Sequence, residues 1–487
     1  MGRETSPRLG LEPTGDAAFD TILGGGLPAR SVIIIAGEPG SGKTILTHQL
    51  LFHAARQGKR CLYLTTLAEP AIKVMRYVQL FEFFDQALLD QQIRMKDLGA
   101  VFGKGAQETL RTIEQLVVEH EPAYVAIDSF KALAELLRTG PDDRAMIYDL
   151  AVQLAGWGAT ALLVGEYSRD DLRRFPEFGI ADGIIRLGSE RLELTSSREI
   201  EVLKLRGAPH RSGVHFFDIT AGGVNFFPRV SAPLDTQDPS STDPDDRLGT
   251  GIEGLDQLLD GGLPRSSTTV VEGGTGAGKT LLALQFLMEG AKRGERGVLF
   301  TLEETPGQLR AVARSMGWDL GVLEASGQLI IKYASPVELS TDRFLSQARN
   351  ELRELGASRA VFDSLTTLAL GIPSQRRFKE MVYAITKHLR AARVTTLMTA
   401  ESVQLLGATQ LSGDGVSFLA DNVIQLRYIE LDGRLERAVS VLKARGIRHN
   451  SELRSMVIQQ GGVQVVAGRF MDLRGVLTGL PTRERQP

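Results

Sequence analysis

One cysteine, Cys61, stands in a chain of 487 residues. A lone thiol closes no intrachain disulfide, so the fold draws nothing from an oxidising compartment, and a cytoplasmic setting is the expectation. No run of about 18 apolar residues occurs, which removes the signature of a membrane-spanning helix. The start, MGRETSPRLG, lacks the apolar stretch of a signal peptide. Its fit to the short myristoylation pattern, through Gly2 and Ser6, is of a kind that chance supplies often. Neither sign of charge dominates, the net being −3, so no bulk field draws the protein to nucleic acid or anionic lipid. The basic stretches RDDLRRF and SQRRFKE, at Arg169–Phe175 and Ser374–Glu380, read as solvated helix faces rather than as a stacking platform for single strands. What remains is a chain 43% apolar and 24% charged, ordinary for a globular protein and too long for a single core.

Glycine is plentiful, and its placement reveals a repeat. TGDAAFDTILGGGLP begins at Thr14 and TGIEGLDQLLDGGLP at Thr250, an offset of 236 residues. The offset is again 236 between Lys43 and Lys279, 235 between Asp128 and Asp363, and 239 between Arg206 and Arg445. A register held this closely means two copies of one domain, at 1–230 and 247–487. Between them, residues 231–246 are rich in proline, serine and aspartate, and offer no apolar face to bury. Within each copy, short apolar runs such as SVIIIAG, RCLYLTT, YVAID and TALLVGE alternate with stretches of helical periodicity. Such runs, apolar on both faces, predict an α/β domain with a mostly parallel sheet flanked by helices.

GEPGSGKT (Gly37–Thr44) and GGTGAGKT (Gly273–Thr280) each follow a predicted strand and open a predicted helix. In G-x-x-x-x-G-K-[ST] the glycines let successive backbone N–H groups turn inward around a phosphate; the lysine reaches the outer oxygens, and the threonine hydroxyl serves Mg²⁺. Gly37, Gly40, Ser41, Gly42, Lys43 and Thr44 form the first candidate site for ATP. Gly273, Thr275, Gly276, Ala277, Gly278, Lys279 and Thr280 form the second, with Thr44 and Thr280 as magnesium ligands.

Hydrolysis also needs a base on a water. Glu303 and Glu304 follow the strand after the second loop helix, where parallel strands deliver side chains into a ligand crevice. The first copy keeps Glu69 but has Ala68 beside it. Asp128 and Asp363 each close an apolar strand, positions suited either to capping the next helix or to steadying Mg²⁺ and its water. Glu303 is a further candidate at the metal.

Two tandem loop domains, TLEETP, the pair Gly317–Trp318, VFDS, VLKARG and the closing GLPTR together resemble the KaiC family of clock ATPases and autokinases over nearly the whole chain. The resemblance implies tandem RecA-like P-loop domains and a double-ringed homohexamer with ATP at subunit interfaces. It implies that Glu303 is the catalytic base, with Glu304 as its partner, and that Trp318 stacks near adenine. Lys204 with Arg206, and Lys443 with Arg445, are similar to the basic pair that reaches a neighbouring subunit's γ-phosphate; His210 and His449 follow that pair, and Arg437 joins the nucleotide-binding set. A KaiB-like or signalling protein is the partner class it brings, and nucleic acid is not the first choice.

Three departures qualify the resemblance. Ser417 falls on the family's phosphorylated serine but Phe418 replaces the adjacent threonine, so a two-site cycle is not expected; Ser412 is the outlying hydroxyl, and Ser417 is equally a turn serine. Four residues follow GLPTR, where clock members carry a longer tail that docks an activating partner. Ala68 weakens the first acid pair, consistent with a copy that holds nucleotide for assembly. The alternatives to an ATPase with serine autokinase activity are a RecA-like DNA-binding module and a nucleotide-gated signalling scaffold with little turnover.

Overall fold

The computed structural model describes residues 10–66, 71–137, 148, 150, 152–154, 156, 158–192, 195–229, 246–335, 341–372, 375–402, 419–431, 434–467, 473–474 and 482–483. The chain divides into two compact units, Met1–Arg229 and Val230–Pro487, each built on a nine-stranded sheet.

In the first unit the parallel core is β1 (Val32–Gly37), β2 (Cys61–Thr65), β3 (Ile93–Asp97), β4 (Tyr124–Asp128), β5 (Thr160–Glu166) and β6 (Gly183–Leu192). An antiparallel meander continues it: β7 (Thr195–Leu205), β8 (Val214–Thr220) and β9 (Gly223–Phe227). The order across the sheet is β9-β8-β7-β6-β1-β5-β4-β2-β3, with β1 between β5 and β6. Helix α1 (Lys43–Arg56) leaves the end of β1. The run VIIIAG explains that central place, because both of its faces are apolar. Ile33 and Ile35 pack with Leu50 and Phe52 of α1 on one side, while Val32, Ile34 and Ala36 pack with Ile113 and Leu163 on the other. Ile33, Ile34 and Ile35 have no exposed surface, and each contributes about 2 kcal/mol of burial.

The second unit repeats the plan with β10 (Thr268–Gly273), α2 (Lys279–Lys292), β11 (Gly297–Thr301), β12 (Leu329–Tyr333), β13 (Arg359–Asp363), α3 (Leu365–Leu370), β14 (Thr395–Glu401) and β15 (Asn422–Leu431). Its meander is β16 (Arg434–Ala444), β17 (Arg454–Gln459) and β18 (Gly462–Val466), and the order is β12-β11-β13-β14-β10-β15-β16-β17-β18. The α/β expectation holds, and so does the mostly parallel sheet. The antiparallel extension is what the apolar runs do not foretell: its first strand carries Glu199 and Glu201, which pair with Arg186 of β6, and no long apolar run marks it.

One buried ion pair ties the second sheet to its surroundings. Arg359, wholly buried at the start of β13, donates from Nε to Glu295 at 2.6 Å and from Nη1 to the carbonyls of Gly249 (2.9 Å) and Phe286 (2.8 Å). Arg359→Ala strips these partners and will lower the unfolding free energy of the second unit by about 3–5 kcal/mol. Denaturant titration checks this, and a loss below about 1 kcal/mol would refute the role given to the pair.

Candidate functional site

At the end of β1 and of β10 the chain must turn sharply into a helix. Gly42 and Gly278, at φ 96° and 103°, supply the left-handed residue from which α1 and α2 start, a conformation costly to any side chain with a Cβ. Their lysines are nearly buried, at 7% exposure for Lys43 and 9% for Lys279. Lys43 Nζ donates to the Glu38 carbonyl at 2.8 Å; Lys279 Nζ donates to the carbonyls of Gly273 (2.9 Å) and Gly274 (3.0 Å). Burial lowers both ammonium pKa values, opposed by Glu166, Asp128 and Glu38 around Lys43, and by Glu401, Asp363 and Glu303 around Lys279. A desolvated ammonium folded back onto loop carbonyls is one that polyphosphate oxygens would satisfy.

The next residue joins this loop to the neighbouring strands. Thr44 Oγ1 donates to Asp128 Oδ2 and Thr280 Oγ1 to Asp363 Oδ2, both at 2.8 Å. A second hydroxyl steadies each aspartate from a different direction: Tyr63 of β2 donates to Asp128 at 3.0 Å, whereas Thr399 of β14 donates to Asp363. Val164 occupies the position in β5 that matches Thr399, and Leu299 the position in β11 that matches Tyr63, so the donor has moved from one flanking strand to the other. The bond after each aspartate, Asp128–Ser129 and Asp363–Ser364, is a cis peptide. Burial raises the Asp363 pKa, with the Thr399 and Thr280 hydrogen bonds working against it.

Glu303 and Glu304 differ sharply. Glu303 is exposed, and its Oε1 accepts from Ser364 Oγ at 2.5 Å and from Thr367 Oγ1. Glu304 is half-buried, its Oε2 has no hydrogen-bond partner among the described residues, and its pKa is raised by burial first and by Asp363 and Glu303 next. Of the two, Glu303 is the carboxylate held in place by hydroxyl donors. Glu69, Ala68, Ser412, Ser417 and Phe418 lie outside the described residues.

Arg437 reaches the second loop of its own unit, donating from Nε to the Gly276 carbonyl at 3.2 Å and lying 5.5 Å from the Tyr428 ring centre. Arg198, not anticipated from the sequence, does the same in the first, donating to Gly40 O at 3.0 Å. The offset of 239 that relates Arg206 to Arg445 relates Arg198 to Arg437 as well, and was the available signal. Glu401 was also missed: it accepts from Thr275 Oγ1 at 3.1 Å and sits 3.8 Å from Lys279 Nζ. Its counterpart is Glu166, and both end the strand that pairs beside the loop strand.

The basic pairs lie elsewhere. Arg206 N bonds to Asp182 O, and Asp182 N to Val32 O, so Arg206 is level with the first residue of β1 while the loop begins at its last, Gly37. Arg445 N bonds to Asp421 O and Asp421 N to Thr268 O, which puts it level with the start of β10. Five residues of strand separate each arginine from its own loop, roughly 16 Å, further than an arginine side chain extends. Lys204 caps carbonyls at Phe178 and Gly179, and Lys443 caps that of Ala420. His210 and His449 follow these pairs, and His210 packs its backbone beneath Gly24. Trp318 lies against the hairpin turn at Gly462, whose neighbour Ile458 approaches Gly278.

Among the described residues no group of three or more His, Cys, Asp or Glu could hold a metal ion by itself. A divalent cation here would rest on a threonine hydroxyl and phosphate oxygens, with the aspartate behind them, and the residues fit that arrangement. No helix among the described residues is long and apolar enough to cross a membrane.

The family model described as "ATPase: KaiC" matches the chain twice, at residues 12–231 and 248–469. The circadian clock oscillator protein KaiC of Picosynechococcus sp. is 30% identical over 478 residues, covering 96% of this chain and 91% of that protein. The protein of the same name from Thermostichus vulcanus is 30% identical over 493 residues, 99% of this chain and 93% of its own. The circadian clock protein KaiC3 of Synechocystis sp. is 28% identical over 486 residues, 96% of this chain and 94% of its own.

Proposed function

Because the chain belongs to the KaiC family of ATPases, we propose that it binds ATP with Mg²⁺ at both glycine loops, hydrolyses it chiefly at the second, and assembles as a homohexameric double ring. Residues 231–246 then link the two copies. The observation that carries this reading is the register that sets Arg206 and Arg445 at the end of the sheet away from their own loops. An arginine so placed can serve a γ-phosphate only outside its own unit, and a heterologous contact between subunits forms a ring where its rotation closes.

In the second copy Lys279 and the backbone N–H groups of the loop hold the β- and γ-phosphates, and Arg437 braces the loop from outside. Thr280, with Asp363 behind it, would hold Mg²⁺, which when bound would offset charge on the phosphates. Glu303, held through Oε1 by Ser364 and Thr367, orients the attacking water and takes its proton. Arg445 of a neighbour faces the charge that grows as the bond to the leaving phosphate breaks. The first copy holds nucleotide mainly for assembly, since an interface built around bound ATP is stabilised by mass action whether or not ATP is cleaved.

Glu303→Gln keeps the shape of the side chain and removes the base. Phosphate release should fall by about 10²-fold with the ring intact; equal, near-zero release from wild type and variant would return the protein to the class of nucleotide-gated scaffolds. Intact-mass measurement on the same incubation reads serine autokinase activity. One added phosphate, absent in Ser417→Ala, is the outcome expected.

A further inference from the structure

We propose that Ser364 and Thr367 are positioning residues of the second site, a pair of hydroxyls that fixes one oxygen of Glu303 so that the other faces the water. The proposal deepens the function proposed above and rests on Glu303 being the base.

The geometry is closed and local. Ser364 caps α3, its Oγ accepting from the Thr367 backbone N–H at 3.2 Å, and the two hydroxyl oxygens stand 3.1 Å apart. Both donate to the same atom, Glu303 Oε1. Ser364 is 1% and Thr367 9% exposed, so their hydroxyls are held by packing, whereas Glu303 itself is exposed at the end of its strand. An exposed glutamate otherwise samples several rotamers, and ordering it at the moment of reaction costs about 1 kcal/mol or more. Two buried donors fixed on a helix N-terminus meet that cost in the fold, and they orient the carboxylate plane as well as its position.

The first copy lacks the device. Ala132 stands where Thr367 does, and the serine matching Ser364, Ser129, has its backbone engaged by Thr66: Ser129 N donates to Thr66 Oγ1 at 3.0 Å, and that hydroxyl donates to Ser129 O at 3.3 Å. The hydroxyl pair therefore marks the copy that keeps both acids, Glu303 and Glu304, and is missing from the copy that reads Ala68–Glu69.

The test is a series on the full chain: Thr367→Ala, Thr367→Ser and Glu303→Gln, with phosphate release measured against ATP concentration and melting temperature recorded for each. Thr367→Ala should lower kcat about ten-fold while KM for ATP stays within about two-fold. Thr367→Ser, which restores the hydroxyl without the methyl, should return kcat to near wild type, and Thr367→Ala added to Glu303→Gln should cost nothing further. Wild-type kcat in Thr367→Ala beside a crippled Glu303→Gln would overturn the clamp and leave the base assignment standing. A raised KM and lowered melting temperature that serine does not rescue would likewise overturn it, as a packing effect. Full turnover in Glu303→Gln would instead remove the base assignment on which the clamp depends.

Discussion

Arg445→Ala will slow ATP hydrolysis at the second site by roughly 10³-fold without weakening the fold of the unit that carries it. The arginine ends β16 in an exposed turn, so little packing is lost with it. Its N–H closes the strand ladder onto Asp421, and alanine keeps that bond. Within its own unit it stands too far from the loop to act there, so the loss of rate has to be felt at a neighbour's nucleotide. A drop in kcat with nucleotide affinity nearly unchanged is the pattern of an interaction made chiefly in the transition state. Loss of melting temperature in place of kcat would mean that Arg445 is structural.

The second large effect separates the two loops. Lys279→Ala removes a nearly buried ammonium surrounded by Glu401, Asp363 and Glu303, leaving those acids to face the phosphates without a counter-charge. The loss of two charge-assisted hydrogen bonds, about 3 kcal/mol, should weaken nucleotide binding at that site about 100-fold, and most turnover should go with it. Lys43→Ala should do the reverse: in native mass measurement the ATP-dependent hexamer should need more protein to form, while turnover per assembled ring stays near wild type. If Lys43→Ala silenced hydrolysis and left the ring whole, the division of labour drawn here would be inverted.

Much of this could be read from residue order because the repeat doubles every signal. VIIIAG and TTVVEG announce buried parallel strands, the two GKT loops follow them, and the constant offset pairs Lys43 with Lys279 and Asp128 with Asp363. What was not legible depends on strands meeting across the sheet. Thr367 is an ordinary helical threonine until α3 places it under Glu303, more than 60 residues earlier in the chain. Tyr63 and Thr399 take the same role from opposite sides of an aspartate, a substitution that aligned positions cannot show because neither residue has a like counterpart in the other copy. The antiparallel edge was hidden for a related reason: its strands set polar and charged residues such as Glu199, Glu201 and Ser440 among their apolar ones, so no continuous apolar run betrays them. That edge is what carries the basic pairs to the far end of the sheet.

The central claim is that each site at the second loop is completed by another chain. Mixing Arg445→Ala chains with Lys279→Ala chains, each inactive alone, and allowing subunits to exchange tests it most directly. In mixed rings about a quarter of the interfaces then join an intact loop to an intact arginine, because a heterologous ring contact draws its two halves from different subunits. ATP hydrolysis should reappear at about a quarter of the wild-type rate. A mixture that exchanges subunits yet stays as inactive as its components would show that arginine and loop must belong to the same chain, and the account would fail.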